Sequence, residues 1–250
     1  MINVLENIFR TSEIETPSKG YQKIHSNTSR EQCLFLQQMF DIIKPEKSLE
    51  IGLAFGLSAL AILEKHKAKN SFEKAHIIIE PYPWGGVAEY NIEKEGLIGL
   101  TNIYYHKSDE VLPKLFYEGV RIQFAYVDTT KVFDTVLSDF YFIDKIMDTG
   151  GIIIFDDCGG AWPGVQKVVR FISTLPNYKI LSGFNKINPS FKKALAEKIV
   201  STMIKIIPFK KVFYPSFNFK TDSDLELNYS CLAFQKIGSD TRQWNWDLPF

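Results

Sequence analysis

The strongest constraint on the fold is a repeated alternation of apolar and helical segments. Five short apolar segments, about 25 residues apart, are each followed by a helical pattern, which is typical of parallel strands joined by crossover helices. They are Leu49–Gly52, His76–Ile79, Asn102–His106, Gln123–Asp128 and Ile152–Phe155. Two further short strands are predicted later, at Tyr178–Ser182 and Ser230–Gln235. The pattern predicts an α/β protein with a doubly wound sheet.

The same pattern divides the chain into parts. Residues 1–47 are predicted to form an N-terminal helical segment, with a helix that begins near Arg30 and ends before a proline. Residues 48–250 form the main domain, with an insertion at about 183–229 between the last two strands. This insertion contains a basic helical pattern and an aromatic-rich stretch, and we expect a lid, a substrate element or a dimer element. The buried face of the N-terminal helix is predicted to carry Leu34, Met39, Ile42 and Ile43.

Composition restricts the class of partner. With 45% apolar residues among 250, the chain can bury a substantial core. Its 29 basic and 29 acidic side chains cancel, so no overall field attracts nucleic acid or an anionic membrane. The three cysteines are far apart and form no CxxC pair, and no apolar run nears the roughly 18 residues of a membrane span. We expect a cytoplasmic protein without a membrane span that acts on a small molecule.

A glycine turn follows the first strand. In SLEIGLAFGLSALAIL (48–63), Gly52 and Gly56 bracket a turn that leads into a helix rich in alanine and leucine. A buried strand that enters a helix N-terminus through such a turn is typical of a nucleotide cradle, because small residues let the backbone approach a ligand. Glu50, inside the strand, can accept a hydrogen bond. The alternative is an ordinary strand–turn–helix corner.

Acidic residues follow three of the strands. Glu80 ends the second strand, Asp128 the fourth, and Asp156 with Asp157 the fifth. Because ligands of open α/β sheets sit at the carboxyl ends of strands, these acids are expected to converge on one crevice. Glu80 is placed to accept from the two hydroxyls of a ribose, as in an adenosine cofactor. The alternative is an acid that only ends its strand.

The carboxylates of the fourth and fifth strands suggest a cation. Asp128, Asp156 and Asp157 offer the hard oxygen ligands that Mg²⁺, Ca²⁺ or Mn²⁺ prefer, and such close negative charges repel without a cation. The alternative is that one or two of them cap helices. Lys131 is a general base if burial lowers its pKa, or else it pairs with these acids.

At this point the motifs resemble a known family. LEIGLAFGLSALAI (49–62) resembles the first motif of class I S-adenosylmethionine-dependent methyltransferases. The continuation is similar to the catechol and caffeoyl-CoA O-methyltransferases and to macrocin-type relatives, over about residues 28–182 and the last strand. The resemblance implies a Rossmann-like, seven-stranded, mostly parallel sheet with the last strand antiparallel and helices on both faces. It also implies S-adenosylmethionine as cofactor.

The resemblance assigns cofactor contacts to particular residues. The glycine turn faces the methionine part of the cofactor, the acid after strand two holds the ribose, and SDEVLPKL (108–115) matches the adenine-side segment. Ala54 departs from the family, in which a larger residue is often found. The cofactor-binding residues that the resemblance implies are Glu50, Gly52, Ala54, Gly56, Ser58, Glu80, Ser108, Asp109 and Asp128.

The resemblance also implies a mechanism. VDTTK (127–131) and IIIFDD (152–157) are similar to segments of the metal-dependent O-methyltransferases. The resemblance implies that Asp128, Asp156 and Asp157 bind a divalent metal such as Mg²⁺ and that Lys131 takes the substrate proton. Asp157 replaces the family's Asn, and macrocin-type relatives have His in place of Lys131. The implied reaction is metal-assisted methyl transfer to a hydroxyl of a small molecule, with Asp128 and Lys131 as catalytic residues.

Other functions and open points accompany this interpretation. A nicotinamide-dependent oxidoreductase would need Gly in place of Ala54, and a cofactor-binding interaction protein without activity would use residues 183–229 as its surface. The acceptor could carry a sugar hydroxyl, a catechol or an acyl-CoA phenol. We expect a homo-oligomer, a dimer. Aromatic candidates for an acceptor pocket, or for core or dimer contacts, are Trp162, Phe213, Tyr214 and Phe217.

Overall fold

The fold was taken from a computed structural model. It describes residues 2–25, 28–159, 161–188 and 221–246, together with residues 195, 199 and 202. The helices of this part are α1 (Asn3–Thr11), α2 (Arg30–Ile43), α3 (Leu57–Ala68), α4 (Val87–Lys94), α5 (Ser108–Tyr117), α6 (Phe133–Ile146) and α7 (Pro163–Thr174). The strands are β1 (Glu13–Glu15), β2 (Tyr21–Lys23), β3 (Ser48–Ile51), β4 (His76–Ile79), β5 (Thr101–Tyr104), β6 (Ile122–Val127), β7 (Met147–Phe155), β8 (Tyr178–Lys186) and β9 (Tyr229–Lys236).

A seven-stranded sheet organises the molecule. Its strand order is β5-β4-β3-β6-β7-β9-β8, and β1 pairs with β2 in a separate antiparallel ribbon. The pairs from β5 to β7 are parallel, whereas β9 runs antiparallel to both of its neighbours. The predicted Rossmann-like sheet with an antiparallel last strand is therefore confirmed. The last two strands are longer than predicted, so the insertion between them begins after Lys186 rather than at residue 183.

Helices cover both faces of this sheet. The parallel strands carry apolar side chains on both sides, as expected for strands buried between two helix layers. One core cluster joins the sheet to α5, α6 and α7, and two others join it to the N-terminal helices and to α3 and α4. Residues of the N-terminal segment, such as Leu5 and Phe40, are fully buried in these clusters. The N-terminal segment thus packs as part of the same hydrophobic interior.

The predicted buried face of α2 is wrong in part. Met39 is buried, but Leu34 is 41% exposed and Ile42 55% exposed. Helix α2 packs against both α3 and β7, and its buried Gln32 donates a hydrogen bond to the Tyr126 hydroxyl at 3.0 Å. Gln32 and its hydrogen bond thus lie on the buried face of α2, which apolar spacing alone did not predict. The residues buried by α2 are Gln32, Cys33, Phe35, Leu36, Met39 and Phe40.

Most of the insertion lies outside the described residues. The predicted basic helix (191–207) is described only at residues 195, 199 and 202, and the aromatic stretch (209–219) is not described. Within the described part of the chain, no helix is long and apolar enough to cross a membrane. Cys33, Cys158 and Cys231 are free and buried, in agreement with the absence of a predicted disulfide framework.

Candidate functional site

A cavity of about 590 Å³ opens at the carboxyl ends of β3, β4 and β6. Strand β3 lies between β4 and β6, so the chain order reverses here, and such a switch point is where open α/β sheets bind ligands. The structure therefore brings most of the predicted cofactor residues together around one space. The predicted residues on the cavity wall are Gly52, Ala54, Gly56, Ser58, Glu80, Ser108, Asp109 and Asp128.

Two positions of the glycine turn, Gly52 and Gly56, leave no space for a side chain. At Gly52, which has a φ of 95°, a Cβ would lie 2.0 Å from the carbonyl oxygen of Asp128. At Gly56, with a φ of 80°, a Cβ would lie 2.9 Å from the Ala88 side chain. Ala54 also has a left-handed φ, of 44°. The turn therefore exposes backbone to the cavity at positions where a side chain would have no space, as a cofactor cradle requires.

The Glu80 carboxylate fixes this turn from the neighbouring strand. Its Oε2 accepts from the backbone N–H groups of Leu53 at 2.9 Å and Ala54 at 3.1 Å, and its Oε1 accepts from the Tyr82 N–H at 2.9 Å. Glu80 is 5% exposed and lines the cavity. A carboxylate has about four lone-pair positions, so these three bonds leave capacity for a hydroxyl of a ligand. Glu80 is thus both a structural anchor of the turn and an available acceptor.

Glu50 lies behind the cavity wall rather than on it. The side chain is fully buried, and its Oε1 accepts a short hydrogen bond from the hydroxyl of Ser58, which does line the cavity. Its Oε2 lies 3.2 Å from His76 Nε2. Burial raises the pKa of Glu50 to about 8, with further increases from Asp128 and Glu80, so the carboxyl group is largely protonated at neutral pH. The resemblance implied that Glu50 contacts the cofactor. In the structure Glu50 does not line the cavity and instead supports the cradle through its hydrogen bond with Ser58.

Two histidines extend this network away from the cavity. His76 Nδ1 lies 2.8 Å from the Ser48 hydroxyl, which lies 2.7 Å from His66 Nε2, and His66 Nδ1 lies 2.8 Å from Ser71 Oγ. Burial lowers the pKa of each histidine to about 3, so both rings are neutral. If the Glu50 carboxyl group donates to His76, each following donor of this hydrogen-bond network, in His76, Ser48 and His66, has an acceptor. These contacts give both histidines a structural role behind the cradle.

Lys131 joins two of the predicted metal ligands. Its Nζ lies 2.5 Å from Asp128 Oδ1 and 2.9 Å from Asp157 Oδ2. Burial alone would lower the pKa of Lys131, but the two carboxylates outweigh it and raise the pKa above its usual value. The raised pKa favours the ammonium form of Lys131, and its role as a general base stays a prediction. The other option in the sequence, pairing with the acids, is what the structure contains.

The third carboxylate of the expected metal site has other partners. Asp156 Oδ2 accepts from the Tyr126 hydroxyl at 3.0 Å, and its Oδ1 accepts from the backbone N–H of Asp157 at 2.8 Å. Burial and the nearby Asp128 raise the pKa of Asp156 to about 6. Among the described residues, no three His, Cys, Asp or Glu side chains are arranged to hold a metal ion. The donor set that the resemblance implied does not fit a divalent cation in this arrangement.

Several residues of the cavity wall were not singled out in the sequence. Tyr82 and Trp84 follow Glu80 directly, and Trp84 packs against Phe55 and His25 with ring centroids 5.7 and 6.3 Å away. The segment PYPWGG after a strand-terminal acid could have indicated them. Trp162, which was singled out, is not among the lining residues, and Phe213, Tyr214 and Phe217 lie outside the described residues. The remaining unpredicted residues of the wall include Thr28, Lys107, Thr129, Thr130, Asp134, Thr135 and Ser138.

A protein-family model agrees with this geometry. Residues 49–158 match the family described as a methyltransferase domain. This range begins in β3 and ends just after β7, so it contains both the glycine turn and the strand-end acids. Over this range the chain is similar to methyltransferase domains. No curated protein matches the chain by sequence.

Solved structures share the fold at low sequence identity. An O-methyltransferase from Bacillus cereus in complex with S-adenosylhomocysteine superimposes with a TM-score of 0.59 and 17% identity, covering 72% of this chain and 83% of that one. The S-adenosylhomocysteine-bound methyltransferase PaMTH1 of Podospora anserina gives 0.58 and 19%, covering 76% and 85%. TomG of Streptomyces achromogenes, an O-methyltransferase of tomaymycin synthesis bound to S-adenosylmethionine, gives 0.54 and 16%, covering 62% and 73%. At these identities the likeness establishes the fold.

Proposed function

We propose that the protein transfers a methyl group from S-adenosylmethionine to a hydroxyl of a small molecule. The observation that supports this proposal most directly is the cradle at the carboxyl ends of β3 and β4. There the backbone packs too closely at Gly52 for any side chain, and Glu80 lines the cavity. The methionine part would lie against the glycine turn and the ribose hydroxyls against Glu80. The adenine ring would lie toward Ser108 and Asp109, at the N-terminus of α5. The fold neighbours solved with S-adenosylmethionine or S-adenosylhomocysteine support this assignment.

The bound cofactor supplies an electrophilic methyl group on a sulfonium. In the reaction the acceptor oxygen forms a bond to this methyl, the carbon–sulfur bond breaks, and the hydroxyl proton leaves. Asp128 is the residue of the Asp–Lys–Asp cluster that lines the cavity, and we assign it the role of proton acceptor. The protein's main contribution is alignment of the oxygen and the methyl group. No step is assigned to a divalent metal, because Lys131 lies between two of the three carboxylates.

The activity can be tested directly. Purified protein is incubated with S-adenosylmethionine and a panel of catechols, phenolic acyl thioesters and sugar alcohols, and S-adenosylhomocysteine and methylated product are measured by mass spectrometry. We expect turnover with at least one of these classes. Asp128→Asn should lower turnover by about 100-fold, because it removes the proton acceptor. Asp41→Asn, at an exposed aspartate of α2 that pairs with Lys65, is the matched control and should retain wild-type turnover.

Two outcomes would contradict the proposal. Equal turnover of wild type and Asp128→Asn would remove Asp128 from the mechanism. Binding of the cofactor without methylation of any acceptor would instead favour an interaction protein on the same fold. The acceptor class, the dimeric state and the cytoplasmic location stay predictions.

A further inference from the structure

The cluster of Asp128, Lys131 and Asp157 combines a partly buried cation with two carboxylates at the edge of the cavity. The Lys131 side chain is 17% exposed, and its Nζ is within 3 Å of an oxygen of each aspartate. Asp128 comes from the end of β6 and Asp157 from the end of β7, where it adopts a left-handed φ of 56°. The lysine therefore links the ends of two adjacent strands next to Asp128, the residue of the cluster that lines the cavity.

A divalent cation and this lysine would compete for the same carboxylates. The ammonium group pairs with Asp128 Oδ1 and Asp157 Oδ2, and Asp156 accepts from the Tyr126 hydroxyl and from the backbone N–H of Asp157. A metal would have to displace the ammonium and leave it beside a doubly charged ion, at a large electrostatic cost in a partly buried site. With the lysine in place, one of the two negative charges is already neutralised.

We propose that the ammonium group of Lys131 is a built-in cation that takes the place of the divalent metal. An ammonium group has three N–H donors, and Lys131 uses two of them on Asp128 and Asp157 among the described residues. Of the three residues of the cluster, Asp128 is the one that lines the cavity, so the ammonium group neutralises charge directly behind the cavity wall. This inference concerns the protein alone and does not depend on the acceptor.

The cation claim is tested with Mn²⁺ alone, followed by the electron paramagnetic resonance signal of the free ion. Wild-type protein should leave the signal unchanged. Lys131→Met should gain a single Mn²⁺ site per chain, because it keeps the length of the side chain but frees two carboxylates. The gain should disappear in the double variant with Asp128→Asn. Lys114→Met, at an exposed lysine of α5 that pairs with Glu118, is the matched control and should bind no Mn²⁺.

Binding of Mn²⁺ by the wild type at a site lost in Asp128→Asn would overturn the proposal. So would a folded Lys131→Met protein, verified by circular dichroism, that binds no Mn²⁺. The wild-type measurement needs no variant, so it decides the claim even where Lys131→Met fails to fold. Since none of these readouts depends on turnover, they separate this inference from the methyltransferase proposal. In an active preparation, turnover should also be unchanged by a chelator.

Discussion

Gly52 occupies the most restricted position of the cradle. Its left-handed φ of 95° costs a residue with a Cβ about 1–2 kcal/mol, and that Cβ would also overlap the Asp128 carbonyl oxygen 2.0 Å away. We predict that Gly52→Ala lowers the free energy of unfolding by more than about 2 kcal/mol and abolishes cofactor binding. Thermal unfolding and calorimetry measure the two effects.

Gly119 provides the control for this prediction. It has a similar φ of 72°, but no atom lies within 4 Å of the position of its Cβ. Gly119→Ala should therefore cost only the backbone term of about 1 kcal/mol and leave cofactor binding intact. Equal losses in the two variants would show that contact with Asp128 does not restrict Gly52.

At the scale of residues, the sequence predicted positions better than roles. The glycines and Glu80 were predictable because their function depends on a local turn and on the end of one strand. For Lys131 the sequence left two roles open, because its pKa depends on burial, on Asp128 and on Asp157, which comes from a different strand. Glu50 was predicted to contact the cofactor, yet it is fully buried and hydrogen-bonded to Ser58, behind the residues that line the cavity.

The strands β3 and β4 are joined by more than their backbone ladder. His76, on β4, lies between Glu50 and Ser48 of β3, and all three side chains are fully buried. We predict that His76→Leu destabilises the protein by about 1–3 kcal/mol, because two buried polar groups lose a partner. Chemical denaturation measures the change.

His106 is the matched histidine for this test. It is exposed at the end of β5, where its Nδ1 lies 3.3 Å from Glu110. His106→Leu should change the stability by less than about 0.5 kcal/mol. If both substitutions cost the same, the buried network contributes nothing specific to the cradle.

At the scale of elements, the apolar pattern predicted where helices and strands lie. For α2 it did not predict which side chains are buried. The buried face of this helix contains one polar residue, Gln32, and two of its apolar residues lie outside that face, so counting apolar residues alone misplaces it. The phase observed buries Gln32, whose amide donates to Tyr126, and leaves Leu34 and Ile42 exposed. A buried polar contact between distant segments has no local signature in the sequence.

At the scale of the whole molecule, the parallel part of the sheet was predictable from alternation, whereas the antiparallel last strand came from the family resemblance. Parallel strands joined by helices leave a regular spacing in the sequence, and the observed order of these strands is β5-β4-β3-β6-β7. The region between β8 and β9 breaks this regularity. It lacks the strand–helix period that made the rest predictable, and its extent was misjudged because β8 continues to Lys186.

The account depends most directly on cofactor binding at the glycine turn. Calorimetric titration of S-adenosylhomocysteine is the measurement that tests it, with Glu80→Gln as the variant and Glu118→Gln, at an exposed glutamate just after α5, as the control. A glutamine at position 80 cannot accept from all three backbone N–H groups and a ribose hydroxyl. We predict a single site per chain in wild type and control, and at least about tenfold weaker binding in Glu80→Gln, which corresponds to about 1.4 kcal/mol. Unchanged affinity in Glu80→Gln, or no binding to the wild type, would contradict the account.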